Sequence, residues 1–106
     1  MGVDATVDTF PGLVGEGVVL VDFWGPNCAP CLALMPEVEA LADRLGERVK
    51  LVKVNAPENR QICRDLRVFG LPTYLVYKGG EEVERLTGEP SLQEVEDAVD
   101  RALGGE

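Results

Sequence analysis

The chain has 106 residues, 45% of them hydrophobic and 27% charged, the composition of one folded domain rather than of a disordered segment. Ten Lys and Arg against 19 Asp and Glu leave a net charge of −9 at pH 7, a poor electrostatic match to nucleic acid or to an anionic membrane surface. Histidine is absent, which excludes Ser-His-Asp and Cys-His nucleophiles, an imidazole base and a Cys₂His₂ zinc site, and leaves chemistry to carboxylates, lysines and the three thiols.

In chain order, a weak strand is expected over residues 5–8. Residues 18–24 are β-branched and aromatic, bounded by Gly17 and Gly25-Pro26, and apolar on both alternating faces except at Asp22. That is the pattern of a central strand covered on both sides. Over residues 28–45 the apolar positions Cys31, Leu34, Met35, Val38, Leu41, Ala42 and Leu45 form the stripe of an amphipathic helix. Pro30 fits its first turn, whereas Pro36 lies inside and is expected to kink it. Residues 49–54 make a second apolar strand and close a right-handed βαβ unit.

Asn55 is placed to cap a short helix beginning about Pro57-Glu58, with Ile62, Leu66 and Cys63 turned inward. Residues 73–77 and 82–87 flank Lys78-Gly79-Gly80-Glu81, whose paired glycines fit a tight hairpin turn. The acidic run Glu81, Glu82 and Glu84 reads as a solvated face protecting an edge strand. Ser91 and Glu94 make a capping box, after which Leu92, Val95, Ala98, Val99, Ala102 and Leu103 form the stripe of a terminal helix. The expectation is a single α/β domain over residues 1–106, a central mixed β-sheet flanked by helices on both faces.

The chemistry-bearing motif is Cys28-Ala29-Pro30-Cys31, where the first central strand turns into the helix. A spacing of three puts both sulfurs on one side of the first helical turn. The unpaired N–H groups and positive dipole end there favour a thiolate at Cys28. Disulfide exchange needs this asymmetry: an exposed sulfur, Cys28, to attack, and a shielded one, Cys31, to resolve the mixed disulfide. Paired cysteines also ligate zinc or iron–sulfur clusters, but such sites want four ligands and only Cys63 remains, so no metal and no bound cofactor is expected. One close pair plus one lone cysteine is the usage of a reducing compartment, and with no signal-like N-terminus and no apolar run of roughly 20 residues, a cytoplasmic location is expected. Asp22, set in an apolar strand, is expected to be buried with its carboxyl pushed up by desolvation.

Trp24 to Cys31 following Val21-Asp22-Phe23, Pro36 five residues beyond the second cysteine, Leu71-Pro72-Thr73, and Lys78-Gly79-Gly80-Glu81 agree in order and spacing with one family. From about Val18 to the last helix the chain resembles the thioredoxin family. The resemblance implies the thioredoxin fold, with sheet order β1-β3-β2-β4-β5 and the active site at the end of the second strand. It implies that Pro72 takes the family's cis-proline position facing the disulfide, with Leu71 and Thr73 offering backbone to a bound substrate strand. Gly88 matches the glycine lining the substrate groove, and Trp24, Asn27, Ala29 and Pro30 surround the sulfurs. Asp22 matches the acid that accepts or donates the proton of the resolving cysteine, with Lys53 near it to tune it.

The implied activity is protein-disulfide reduction by Cys28 and Cys31 in a monomer recharged by a thioredoxin reductase. The family usually carries Trp-Cys-Gly-Pro-Cys followed by Lys or Arg; here Asn27, Ala29 and Leu32 stand at three of those positions. Asn27 removes an aromatic contact surface, Ala29 stiffens the first turn, and Leu32 removes a cation that would favour the thiolate. These departures bear on partner range and potential, and Asn27 and Ala29 keep in view a specialised redox relay for one dedicated reductase or substrate; a further alternative is a binding module whose groove beside Pro72 holds a partner and whose disulfide never cycles, against which both cysteines and Asp22 argue.

Overall fold

The computed structural model describes residues 2–104. Its elements are β1 (Val3–Asp4), α1 (Phe10–Leu13), β2 (Val18–Trp24), α2 (Ala29–Leu45), β3 (Val49–Asn55), α3 (Arg60–Leu66), β4 (Thr73–Lys78), β5 (Glu81–Leu86) and α4 (Leu92–Ala102). The five strands form one mixed sheet in the order β1-β3-β2-β4-β5. β3 runs parallel to both β1 and β2, while β4 is antiparallel to β2 and β5.

β2 lies at the centre because it can be buried on both faces. Its alternating residues Val19, Val21 and Phe23 enter the core that includes Phe10 of α1 and Ile62 of α3. Leu20 enters the opposite core with Val38 and Leu41 of α2 and Val95 and Val99 of α4. The two-residue strand period puts Asp22 on the Leu20 side, the α2 and α4 face. The register sets Lys53 of β3 and Tyr74 of β4 beside it.

Two local predictions are corrected, and one short helix joins the elements. The first strand is Val3–Asp4, not residues 5–8: although the Ala5 N–H still donates to the Lys53 carbonyl (2.9 Å), Thr6 and Thr9 exchange backbone-to-side-chain bonds of 2.9 and 3.2 Å and turn the chain. That turn leads into α1, a four-residue helix with a proline in its first turn, which has too few residues to show a period. The segment after β3 is not one helix capped by Asn55. A 3₁₀ turn, Ala56–Glu58, comes first, and Asn59 then donates its side-chain amide to the Asn55 carbonyl (3.0 Å), separating that turn from α3.

Helix α2 continues through Pro36 for 17 residues. Gly79 and Gly80 take φ of 61° and 85°, the left-handed pair that joins β4 to β5. The acids of β5 are not simply solvated: Glu82 pairs with Arg85 at 2.7 Å and Glu84 with Arg101 of α4 at 3.0 Å. The Ser91–Glu94 capping box closes in both directions, at 3.1 and 2.8 Å.

Candidate active site

Cys28 and Cys31 are joined by a disulfide with their Cα atoms 5.3 Å apart. Cys28 is the N-cap of α2, and its sulfur accepts a hydrogen bond from the Cys31 N–H at 3.2 Å, so one otherwise unpaired donor of the helix start is aimed at this sulfur. The two cysteines differ in exposure: Cys28 is half-buried and Cys31 is wholly buried. An attacking sulfur must reach a second protein, and a resolving one must be held close and shielded.

Asp22 is fully buried, and neither carboxylate oxygen meets a hydrogen-bond donor within the protein. Burial pushes its carboxyl up to about 7; the Lys53 ammonium opposes that rise and the Glu39 carboxylate adds to it. Lys53 does not bond to Asp22. Its ammonium donates to Glu39 Oε2 at 2.8 Å, and that bond raises the lysine above its ordinary value. Tyr74, on the other side of Asp22, has a buried hydroxyl with no protein partner and is driven well above the usual phenol range by burial.

Glu39 and Tyr74 are the members that sequence reasoning missed. Glu39 follows Cys31 by eight residues, two helical i,i+4 steps, so its place on the same side of α2 was readable; Tyr74 is brought in by sheet register.

Pro72 is buried and the Leu71–Pro72 peptide bond is cis. Thr73 is anchored through its hydroxyl to the Gly70 carbonyl at 2.6 Å. Gly25 lets this loop approach the end of β2: a Cβ there would lie 3.2 Å from Leu71 Cδ1 and 3.6 Å from Pro57 Cδ. Asn27 and Ala29 are exposed beside the disulfide, Pro30 and Trp24 are half-buried, and Gly88 is exposed with φ of 72°. Leu32 is 44% exposed on α2. Cys63 is half-buried at the edge of the α1 and α3 core rather than inside it, and burial pushes its thiol up. Among the described residues no cluster of three or more Cys, Asp or Glu could hold a metal ion, and no helix is long and apolar enough to cross a membrane.

A family model described as Thioredoxin matches residues 3–101. The thioredoxin of Bacillus subtilis (strain 168) is 38% identical over 101 residues, spanning 95% of this chain and 97% of that protein. The thioredoxin of Acetoanaerobium sticklandii is 42% identical over 84 residues, 77% and 80% of the two chains. Among solved structures, a mutant thioredoxin from Halobacterium salinarum NRC-1 superposes with a TM-score of 0.88 at 27% identity, covering 96% of this chain and 90% of that one. The thioredoxin of Malassezia sympodialis gives 0.86 at 26% identity, with 96% and 91% covered.

Proposed function

This chain belongs to the thioredoxin family and is a thiol–disulfide oxidoreductase, and from that premise we propose how its residues divide the reduction of a protein disulfide. With the pair reduced, the Cys28 thiolate attacks one sulfur of the target disulfide. The other target sulfur leaves as a thiolate and takes up a proton. Cys31 then gives its proton to the Asp22 carboxylate and attacks Cys28, releasing the second target thiol and closing the Cys28–Cys31 disulfide. Two electrons pass from the pair to the target, and two protons go with them.

The observation carrying this reading is the asymmetric pair at the start of α2: Cys28 half-buried with a helix N–H on its sulfur, Cys31 fully buried. Asp22 suits the proton step because its carboxyl titrates at about 7, where it can both take and return a proton at neutral pH. Lys53 tunes it by charge while Glu39 holds the lysine ammonium away from a direct bond. Leu71, Pro72 and Thr73 would receive an extended substrate strand, with Trp24, Asn27, Ala29, Pro30 and Gly88 forming the surface around the sulfurs. No bound cofactor is required, since the electrons reside in the sulfurs, and a thioredoxin reductase would restore the dithiol. The cytoplasm is supported as its place by one working pair beside an unpaired Cys63 thiol.

The test is reduction of insulin disulfides driven by a dithiol reductant. Turnover is expected with the native chain and its loss with Cys28→Ser; turnover that persists in Cys28→Ser contradicts the mechanism. Exposed Leu32, where the family usually carries a cation, favours a narrower relay as the second reading. That reading expects Leu32→Lys to change the kinetics with the partner reductase, and unchanged kinetics reject it.

A further inference from the structure

Two grooves open on either side of the loop that ends in Pro72. One, of about 450 Å³, lies on the α3 side and is lined by Pro57, Arg60, Arg64, Phe69 and Leu71 among others. The other, of about 220 Å³, lies between α2 and the loop after β5 and is lined by Pro30, Leu34, Glu37, Pro72, Glu89 and Pro90 among others. Leu71 lines the first and its chain neighbour Pro72 the second, so the two grooves flank this dipeptide. Pro30, between the two cysteines, forms part of the second wall.

Their charges are opposite. The only charged residues lining the first groove are Arg60 and Arg64, which the i,i+4 spacing sets on one face of α3. The only charged residues lining the second are Glu37 and Glu89. Among the described residues none of these four has a salt-bridge partner, although other surface charges pair, as Glu82 does with Arg85 and Glu84 with Arg101. Two unpaired arginines in the groove that reaches Leu71 stand out on a chain of net charge −9. Glu89 has φ of 58°, in the left-handed region that disfavours residues with a side chain. Phe69, which lines the basic groove, is 86% exposed, the most exposed large apolar side chain among the described residues. An aromatic so placed beside apolar walls is an anchor for a partner surface.

We propose that the two grooves form a single electrically polarised substrate cleft, which selects a disulfide-bearing strand with apolar and acidic residues on one side of its cysteine and basic residues on the other. The acidic arm lies toward Arg60, Arg64 and Phe69, and the basic arm toward Glu37 and Glu89. The polarity fixes the direction in which the strand crosses Pro72 and therefore which substrate cysteines reach Cys28. This inference rests on the disulfide-reductase reading and adds the substrate class to it.

The test uses two peptides of identical composition. Each carries one cysteine in a mixed disulfide with 2-mercaptoethanol; one has a Leu-Asp-Asp arm before the cysteine and a Lys-Lys arm after it, and the other has the arms exchanged. An uncharged peptide disulfide serves as reference. At low salt one order is expected to be reduced with a kcat/KM about tenfold above the other, the scale set by a few exposed charge pairs. The preference should shrink as salt rises to about 0.5 M, a measurement needing no variant. It should invert in a protein carrying R60E, R64E, E37K and E89K together. Equal rates for the two orders, or a preference indifferent to salt and to charge reversal, overturn the polarised cleft while turnover of the uncharged peptide upholds the reductase reading. Failure to reduce all three peptides overturns both. Self-association of the native chain that vanishes on charge reversal assigns the cleft to a second copy and also overturns the proposal.

Discussion

Replacing Asp22 with asparagine is expected to stabilise the oxidised protein at neutral pH while slowing its turnover. The carboxyl is fully buried without a donor from the protein, and burial lifts it from 3.8 to about 7 against the pull of Lys53. At about 1.4 kcal/mol for each tenfold change in proton affinity, that rise corresponds to roughly 4 kcal/mol. Between pH 3.8 and about 7 the unfolded chain has released this proton and the folded chain still holds it, so stability falls as pH rises. Below that window both states are protonated and the penalty vanishes; above it the penalty is complete. Asparagine keeps the shape and cannot ionise. Urea unfolding of the two oxidised proteins from about pH 4 to pH 9 should therefore give curves that nearly coincide at the acid end. They should separate by several kcal/mol, up to roughly 4, above pH 8, with the variant the more stable. In single-turnover assays the same variant should release the mixed disulfide at least about tenfold more slowly, since the proposed proton acceptor for Cys31 is gone. A stability difference that does not vary with pH, or a variant less stable at pH 8.5, would refute the assignment of Asp22 as a buried, reluctantly ionised acid.

Glu39→Gln removes both a negative charge near Asp22 and the partner of Lys53. The Asp22 carboxyl should then titrate lower, and the acid limb of the pH–rate profile for resolution should move to lower pH; an unmoved limb means that Glu39 serves packing alone. Ser91→Ala opens the capping box of α4 and should cost about 1 kcal/mol in denaturant titrations, lowering Tm by a few degrees with turnover intact. Gly80→Ala forces a side chain into a residue at φ 85° and sets its Cβ 3.1 Å from the Gly15 carbonyl oxygen. A loss of about 1–2 kcal/mol should follow in the same titration, and a loss below about 0.3 kcal/mol would show that the hairpin relaxes freely.

Elements whose signal is local and repeated were legible in the chain itself. The apolar residues of β2 on either side of Asp22, the helical stripe of α2, the glycine pair at the hairpin and the reciprocal Ser91–Glu94 cap each carry their own geometry. The start of the chain was not legible, because β1 pairs through only two residues with β3 and α1 is a single turn; neither is long enough for a period to emerge. The break before α3 depends on one bond from the Asn59 side chain to the Asn55 carbonyl, which composition does not reveal.

Within the site, Cys28 and Cys31 are marked by spacing, and Asp22 by being the one acid in an apolar strand. Tyr74 joins them only through the pairing of β4 with β2, and Glu39 only once α2 lies over the sheet. The opposed charges of the two grooves are likewise invisible along the chain, because residues 60 and 64 line one groove and residues 37 and 89 another only once the chain has folded around the loop at Pro72.

The central claim is that Cys28 attacks and Cys31 resolves. Its most direct measurement is intact-mass analysis of the reduced Cys31→Ser variant after mixing with a disulfide-bonded protein substrate, with peptide mapping of any adduct. A persistent one-to-one mixed disulfide through Cys28, released by added dithiol, is the predicted result. Absence of an adduct, or attachment at Cys63, would contradict the account.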